Sequence, residues 1–165
     1  MTLRKFAIAA IAASVMLGTS ACTFMSPVAS RIVYAPADGH QVDLQSLKLR
    51  NFVYLTNGEK SALTGSIVNS GTTSSSLTIT YTDAAVAESK TVTITVAAGQ
   101  KLDLGYNGGS ALAINLGGKA GDIVSIQVAE GSGQAVIFNI PVLDERFEYF
   151  KPAIDSLGSV EPSAE

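Results

Sequence analysis

The chain has 165 residues, of which 47% are hydrophobic and 15% charged, and its formal net charge is −3. This length and composition predict one domain with an apolar core, and the acidic balance argues against nucleic acid, because phosphates attract basic surfaces. A single cysteine excludes an internal disulfide, so buried apolar surface and backbone pairing must stabilise the fold.

The chain begins with the pattern of an export signal. Arg4 and Lys5 provide a basic start, and residues 6–17 form an apolar run of the length found in signal peptides. The run is too short for a membrane-spanning helix, which needs about 20 apolar residues. Small residues then lead to the only cysteine, in the stretch Leu17-Gly18-Thr19-Ser20-Ala21-Cys22. We therefore predict a signal peptide over residues 1–21.

Residues 20–22, Ser-Ala-Cys, resemble the last three positions of the lipobox, the cleavage motif of bacterial lipoproteins. Thr19 stands where that motif usually has leucine. The resemblance implies cleavage before Cys22 and transfer of a diacylglyceryl group to its thiol, which would hold the domain at the extracytoplasmic face of a cell membrane. Ordinary secretion, with cleavage after Ala21 or Ser30 and no lipid, is the alternative.

The first half of the body shows the two-residue period of β-strands. Apolar residues alternate over residues 47–54 with one change of phase near Arg50-Asn51, which predicts a bulge. Asn57-Gly58 is a strong hairpin signal, and alternation resumes over residues 63–69. In residues 77–82 the apolar side chains face one way and three threonines the other, as in a half-buried strand.

The second half repeats this pattern with more glycine. The predicted strands are residues 91–96, 102–104, 112–116, 123–128 and 136–140. Flexible loops are predicted at Gly105 to Gly109 and Gly117 to Gly121, and residues 84–88 offer one helical turn at most. We predict an all-β fold over residues 31–143, an antiparallel immunoglobulin-like or Greek-key β-sandwich, with a cupredoxin-like sandwich as the alternative.

The two ends of the mature chain predict little regular structure. Residues 22–30 are small and polar, which suits a tether between lipid and domain. In the tail, residues 144–165, the aromatics Phe147, Tyr149 and Phe150 are expected to pack on the sandwich or to form one helical turn, with partner binding as the alternative. From Ser156 onward we expect disorder, so the tail is partly disordered.

The last third of the chain contains three recognisable stretches: Gly105-Tyr106-Asn107-Gly108-Gly109, Gly121-Asp122-Ile123-Val124 and Asn139-Ile140-Pro141-Val142. They resemble the periplasmic copper chaperones of the PCuAC type, which implies a cupredoxin- or immunoglobulin-like sandwich. In that family His and Met residues after the Gly-rich loop bind Cu(I), an ion that prefers such ligands. Here residues 110–115 are Ser-Ala-Leu-Ala-Ile-Asn, so we predict no metal site and no cofactor.

A second resemblance covers nearly all of the mature chain. Tyr34-Ala35-Pro36 and Leu49-Arg50-Asn51, taken with the pattern above, resemble small uncharacterised actinobacterial lipoproteins. That likeness brings no known activity with it.

Catalytic motifs are missing from the sequence. His40 is the only imidazole and lies in an Asp-Gly-His turn, and no Gly-x-Ser-x-Gly motif presents a nucleophile. Residues 117–120, Gly-Gly-Lys-Ala, lack the first glycine and the hydroxyl residue of a phosphate-binding loop. The chain is therefore predicted not to be an enzyme.

The function that remains is binding. We predict a lipid-anchored, non-catalytic binding, accessory or scaffold domain of the cell envelope, with the membrane and an envelope protein as partners. Its binding loops would be the two glycine-rich loops, 105–109 and 117–121, because recognition usually lies on loops of a rigid scaffold. The alternative is a metal or small-ligand carrier related to the copper chaperones, with a lost site or one moved to His40.

Overall fold

A computed structural model describes residues 4–7 and 37–157 of the chain. The chain divides into two compact units, Met1–Tyr34 and Ala35–Glu165. In the first unit, residues 4–7 are helical. Cys22 and most of the predicted signal peptide and tether lie outside the described residues. Within the described parts, no helix is both long enough and apolar enough to cross a membrane.

Between residues 37 and 157 the chain forms nine β-strands and a short helical segment, which confirms the all-β prediction. The strands are β1 (His40–Asp43), β2 (Leu47–Thr56), β3 (Ser61–Asn69), β4 (Ser75–Asp83), β5 (Glu88–Val96), β6 (Lys101–Leu104), β7 (Leu112–Ala113), β8 (Ile123–Glu130) and β9 (Val136–Leu143). A 3-10 turn at Glu148–Phe150 and the C-terminal helix, Lys151–Asp155, follow them.

The strands form one curled mixed sheet whose two halves pack face to face. Its order is β5-β4-β8-β9-β2-β3-β6, with β1 paired to β2 and β7 paired to β3. β9 joins the halves, because its residues up to Pro141 pair with β8 while Val142 and Leu143 pair with β2. Apolar side chains from both halves share one core, in which the rings of Phe52 and Phe138 lie 5.7 Å apart, edge to face.

One pairing differs from the antiparallel sandwich that the sequence predicts. β2 and β9 run parallel, with Tyr54 opposite Val142 and Leu55 opposite Leu143. Alternation of side chains predicts which residues face the core, but it does not predict the direction of a neighbouring strand that is distant in the sequence. Because parallel strands end at the same edge, the segments after Thr56 and after Leu143 come together.

The predicted bulge in β2 is confirmed. The register with β3 shifts between Arg50 and Val53, and Asn51 adopts a positive φ of 52°. Opposite the bulge, Gly65 has a φ of 152°, and a Cβ there would lie 2.5 Å from a ring carbon of Phe52. The bulge therefore turns the buried Phe52 ring into the core over a position that only glycine fits.

β7 is shorter than the strand predicted over residues 112–116. Only Leu112 and Ala113 pair with β3. The next backbone groups bond elsewhere: Ser61 Oγ donates to the carbonyl of Ile114 at 3.0 Å, and the N–H of Leu116 donates to Tyr54 Oη at 3.0 Å. Side chains thus take the bonds that a longer ladder would have used.

The tail forms a second core on the outer face of β2 and β3. Phe150, Ala153 and Ile154 are buried there against Val53 and Leu55, which is why β2 is apolar on both faces. Of the three tail aromatics, Phe150 is packed in this core, and both Tyr149 and Phe150 lie in the 3-10 turn, while Phe147 and Tyr149 remain about half exposed.

The first two residues of the segment predicted to be disordered, Ser156 and Leu157, make contacts with the domain. Ser156 Oγ donates to the carbonyl of Ala153 at 2.7 Å, and Leu157 packs against the second core. Residues 158–165 lie outside the described residues.

Candidate functional site

A polar cleft of about 390 Å³ lies where β2 and β9 end together. Its residues come from the turn after β2, from the loop before β8 and from the segment after β9. They are Thr56, Asn57, Gly58, Gly118, Lys119, Ala120, Asp144, Glu145 and Arg146. We refer to this set as the polar cleft, and a smaller hollow of about 200 Å³ adjoins it across Gly58 and Gly118.

The first wall is the turn between β2 and β3, which the Asn57-Gly58 pair predicts. Asn57 Oδ1 accepts hydrogen bonds from the N–H groups of Glu59 at 3.1 Å and of Lys60 at 2.8 Å. Gly58 supplies a positive φ of 90°. The asparagine side chain thus fixes a four-residue turn, since Thr56 pairs with Ser61 across it.

The second wall is the loop at residues 117–121, which β9 holds in place. The N–H of Gly121 donates to the carbonyl of Val142 at 2.8 Å, and the N–H of Val142 donates to the carbonyl of Asp122 at 2.9 Å. The carboxylate of Asp122 accepts the N–H of Lys119 at 2.8 Å. A rigid loop therefore presents the exposed Lys119 side chain to the cleft.

The third wall carries charges of both signs. Arg146 Nε lies 2.7 Å from Asp144 Oδ2, and this hydrogen bond holds the pKa of Asp144 below its usual value. The Arg146 side chain is 82% exposed, so its other N–H groups still face solvent. Among the described residues, the ammonium of Lys119 has no carboxylate within 4.0 Å. Within the described part of the chain, the cleft thus offers the unpaired cation of Lys119 and the carboxylate of Glu145, which has no cation partner, beside the Asp144–Arg146 ion pair.

These groups offer charges and hydrogen bonds to a ligand. No serine, cysteine or histidine lines the polar cleft. The hydroxyl of Thr56 accepts a hydrogen bond from the N–H of Gly58 at 3.2 Å and helps to hold the turn. The chemistry available is charge pairing and hydrogen bonding to a polar ligand.

The two predicted binding loops do not form one surface. Only the loop at residues 117–121 lines the polar cleft. The loop at residues 105–109 packs elsewhere: a Cβ at Gly105 would lie 2.8 Å from Thr64 and 3.0 Å from Ala153, and Tyr106 Oη lies 3.3 Å from Thr64 Oγ1. It covers the edge of β3 beside the C-terminal helix.

The other residues singled out from the sequence stand apart from the polar cleft. Cys22, the predicted lipidation site, lies outside the described residues. His40 is exposed on β1, and its ring nitrogen Nδ1 lies 2.6 Å from the carbonyl of Asn139. Phe147 and Tyr149 form a stacked pair with ring centroids 5.6 Å apart, and Tyr149 donates a hydrogen bond to Asp38 at 2.7 Å. That bond raises the pKa of Tyr149.

The sequence predicts the turn and the loop that form two walls of the cleft, but it does not predict that they come together. Residues 144–146 carry no motif, and Asn57 Nδ2 lies 3.5 Å from Glu145 Oε2 across a separation of 88 residues. Only the parallel pairing of β2 with β9 brings these two segments together, and no local sequence pattern predicts that pairing.

Comparison with known proteins gives structural neighbours but no sequence relatives. No family model matches the chain, and no curated protein matches it. Solved structures similar to this one include the apo PCuAC domain of PmoF2, with a TM-score of 0.48 and 14% identity, covering 66% of this chain and 98% of that one. The copper-bound PCuAC domain from PmoF2 has a TM-score of 0.46 and 16% identity, covering 64% of this chain and 98% of that one. The apo PCuAC domain from PmoF1 has a TM-score of 0.43 and 20% identity, covering 62% of this chain and 98% of that one.

The residues after the Gly-rich loop do not fit a copper ion. Ala111 and Ile114 are buried among apolar side chains, and Leu112 and Ala113 pair with β3. None of these side chains carries a nitrogen or sulfur ligand. Among the described residues, no group of three or more His, Cys, Asp or Glu side chains is placed to hold a metal ion.

Proposed function

We propose that this chain is a non-catalytic binding or accessory domain of the cell envelope, fixed to the extracytoplasmic face of a membrane by a lipid on Cys22. The observation that carries the proposal is the position of the only cysteine, directly after an apolar run and a set of small residues. A thiol at a new N-terminus there is the group that takes a diacylglyceryl chain. The resemblance to actinobacterial lipoproteins agrees with this proposal.

The polar cleft supports the binding part of the proposal. Asn57 fixes the turn that forms its first wall, and hydrogen bonds to β9 hold the loop that forms its second, so its shape needs little ordering when a ligand enters. The unpaired ammonium of Lys119 favours a carboxylate, and Asn57 and Arg146 offer further donors. The partner is therefore a polar polypeptide segment that presents an acidic group to Lys119.

A photo-crosslinking experiment tests this site in intact envelopes. A photoreactive phenylalanine analogue at the exposed Ala120, beside Lys119, should capture one recurrent protein, identified by mass spectrometry. Adding Lys119→Ala should reduce the captured amount about two- to fivefold, the effect of one charged contact in an exposed interface.

The matched control places the same analogue at Thr82, which is exposed on β4 and outside the polar cleft. Position 82 should capture other proteins or none. The proposed site is wrong if position 120 captures no recurrent protein, if both positions capture the same one, or if Lys119→Ala leaves the yield unchanged.

Metal transport is the competing function, and a titration separates the two. We predict that the mature chain binds no stoichiometric Cu(I), Cu(II) or Zn(II), because His40 offers one ring nitrogen and the described residues place no cluster of ligands around it. Isothermal calorimetry with each ion measures this directly. Stoichiometric binding that His40→Ala abolishes would establish the carrier function instead.

A further inference from the structure

β5 is an open edge of the sheet. All nine of its residues pair with β4, from Glu88 opposite Asp83 to Val96 opposite Ser75. β5 ends the strand order, and no described strand pairs with its other side. The carbonyl of Val96 accepts a hydrogen bond from Asn69 Nδ2 at 2.9 Å, so the open stretch is residues 88–95. It presents a row of backbone donors and acceptors with no ladder partner.

The composition of this edge is unusual for a strand that faces only water. Within the open stretch, residues 91–95 read Thr-Val-Thr-Ile-Thr, without charge, proline or glycine, whereas exposed edges usually carry such residues to prevent pairing; its two charged residues, Glu88 and Lys90, lie at one end. Lys90 is the nearest cation, and its ammonium lies 2.6 Å from Asp83 on β4, directed away from the open side. Val92 and Ile94 are only half-buried and would gain cover from a further strand.

We propose that β5 pairs antiparallel with β5 of a second copy of this chain, about a two-fold axis that passes through Thr93 perpendicular to the sheet. The strand is complementary to itself in this register. Val92 stands opposite Ile94 of the second copy on the inner face, and Thr91 stands opposite Thr95 on the outer face. Beyond this paired stretch, Lys90 lies beside the uncharged Val96, whose carbonyl already bonds Asn69, so no like charges oppose each other.

The outer face gives a second reason for a copy of the same chain. Hydroxyl pairs already join β4 and β5 there, with Thr80 Oγ1 3.3 Å from Thr91 Oγ1 and Ser76 Oγ 3.0 Å from Thr95 Oγ1. The two-fold axis continues this array of threonines across the junction. A dimer built this way forms one continuous sheet from two edges.

Sedimentation equilibrium of the mature chain tests the proposal. The unaltered chain should show a concentration-dependent dimer. Thr93→Lys places two ammonium groups opposite each other at the axis, and because Thr93 is exposed the monomer should fold as before. The dimer dissociation constant should rise at least about tenfold. Thr82→Lys is the matched control, since it adds the same charge to the same outer face one strand from the edge, and it should leave the dimer intact.

Cross-linking gives an independent readout. In a chain with Cys22→Ser, Thr93→Cys should form a disulfide-linked dimer under mild oxidation, because the Cα atoms of directly opposed residues lie about 4.5–5.5 Å apart, within the span of a disulfide, while Thr82→Cys should not. A chain that stays monomeric at its highest attainable concentration overturns the proposal. So does equal weakening by both lysine variants, or equal cross-linking by both cysteine variants.

Discussion

Cys22→Ser should abolish acylation of the chain and its stable attachment to the membrane. Only a thiol takes the diacylglyceryl group, and a hydroxyl at the same position is a much weaker nucleophile. Each buried methylene contributes about 0.8 kcal/mol, and one acyl chain alone gives only marginal binding, so the loss of two chains removes nearly all of the affinity. Cells labelled with radioactive palmitate should yield a labelled wild-type chain and an unlabelled variant.

The mass of the mature N-terminus completes that experiment. The wild-type chain should begin at Cys22 and carry the mass of the lipid. Thr19→Leu is the control, because it completes the lipobox without touching the acceptor sulfur, and it should be acylated at least as well as the wild type. A native chain that begins after Ala21 or Ser30 with no added lipid would contradict the proposed anchor.

Local patterns in this sequence predict most strands well because most strands, unlike β2, have one buried face. The change of phase at Arg50-Asn51 predicted the bulge, and the structure places the extra residue there, with Gly65 beneath the Phe52 ring. Threonine alternation likewise predicted the outer face of β4. Such patterns report which side chains meet water, and that information is local.

The polar cleft and the second core depend on contacts between distant segments. Residues 144–146 enter the cleft only because β9 crosses to the second half of the sheet after Pro141 and runs parallel to β2. Phe150 is buried because Val53 and Leu55 expose an apolar outer face to the tail. The aromatic residues of the tail predict that it packs on the sandwich but not on which strands, and nothing predicts the cleft, since both contacts follow from the order in which strands pair.

At the other end of the sandwich from the polar cleft, Glu130 joins three segments of the chain and should contribute strongly to stability. The residue is 9% exposed, and its carboxylate accepts hydrogen bonds from the N–H groups of Ser46 at 2.8 Å and Leu47 at 3.0 Å. The hydroxyls of Ser46 and Ser75 also donate to it, the latter at 2.7 Å. Burial raises the pKa of Glu130, but these hydrogen bonds outweigh it and lower the pKa from 4.5 to about 2.

Glu130→Gln should therefore destabilise the domain and change its response to acid. Because the folded pKa lies below the unfolded one, the contribution of Glu130 is complete above about pH 5 and is lost as the pH falls towards 2. The shift corresponds to about 3 kcal/mol of unfolding free energy at neutral pH. Glutamine keeps the shape, but it replaces one accepting oxygen with an amide that cannot accept from these donors, so a comparable loss is expected at pH 7.

Urea unfolding at pH 7 and at pH 3 measures both effects. The free energy of unfolding of the wild type should fall more steeply between these values than that of Glu130→Gln, so the difference between the two proteins narrows in acid. Comparing the two proteins removes the contributions of Asp43, Asp83 and Asp103, whose pKa values are also lowered and which both chains share. Glu59→Gln, in the exposed turn after β2, should follow the wild type at both pH values. If the difference in unfolding free energy between wild type and Glu130→Gln is the same at both pH values, the charge of this carboxylate does not stabilise the contact between the three segments, and only its shape does.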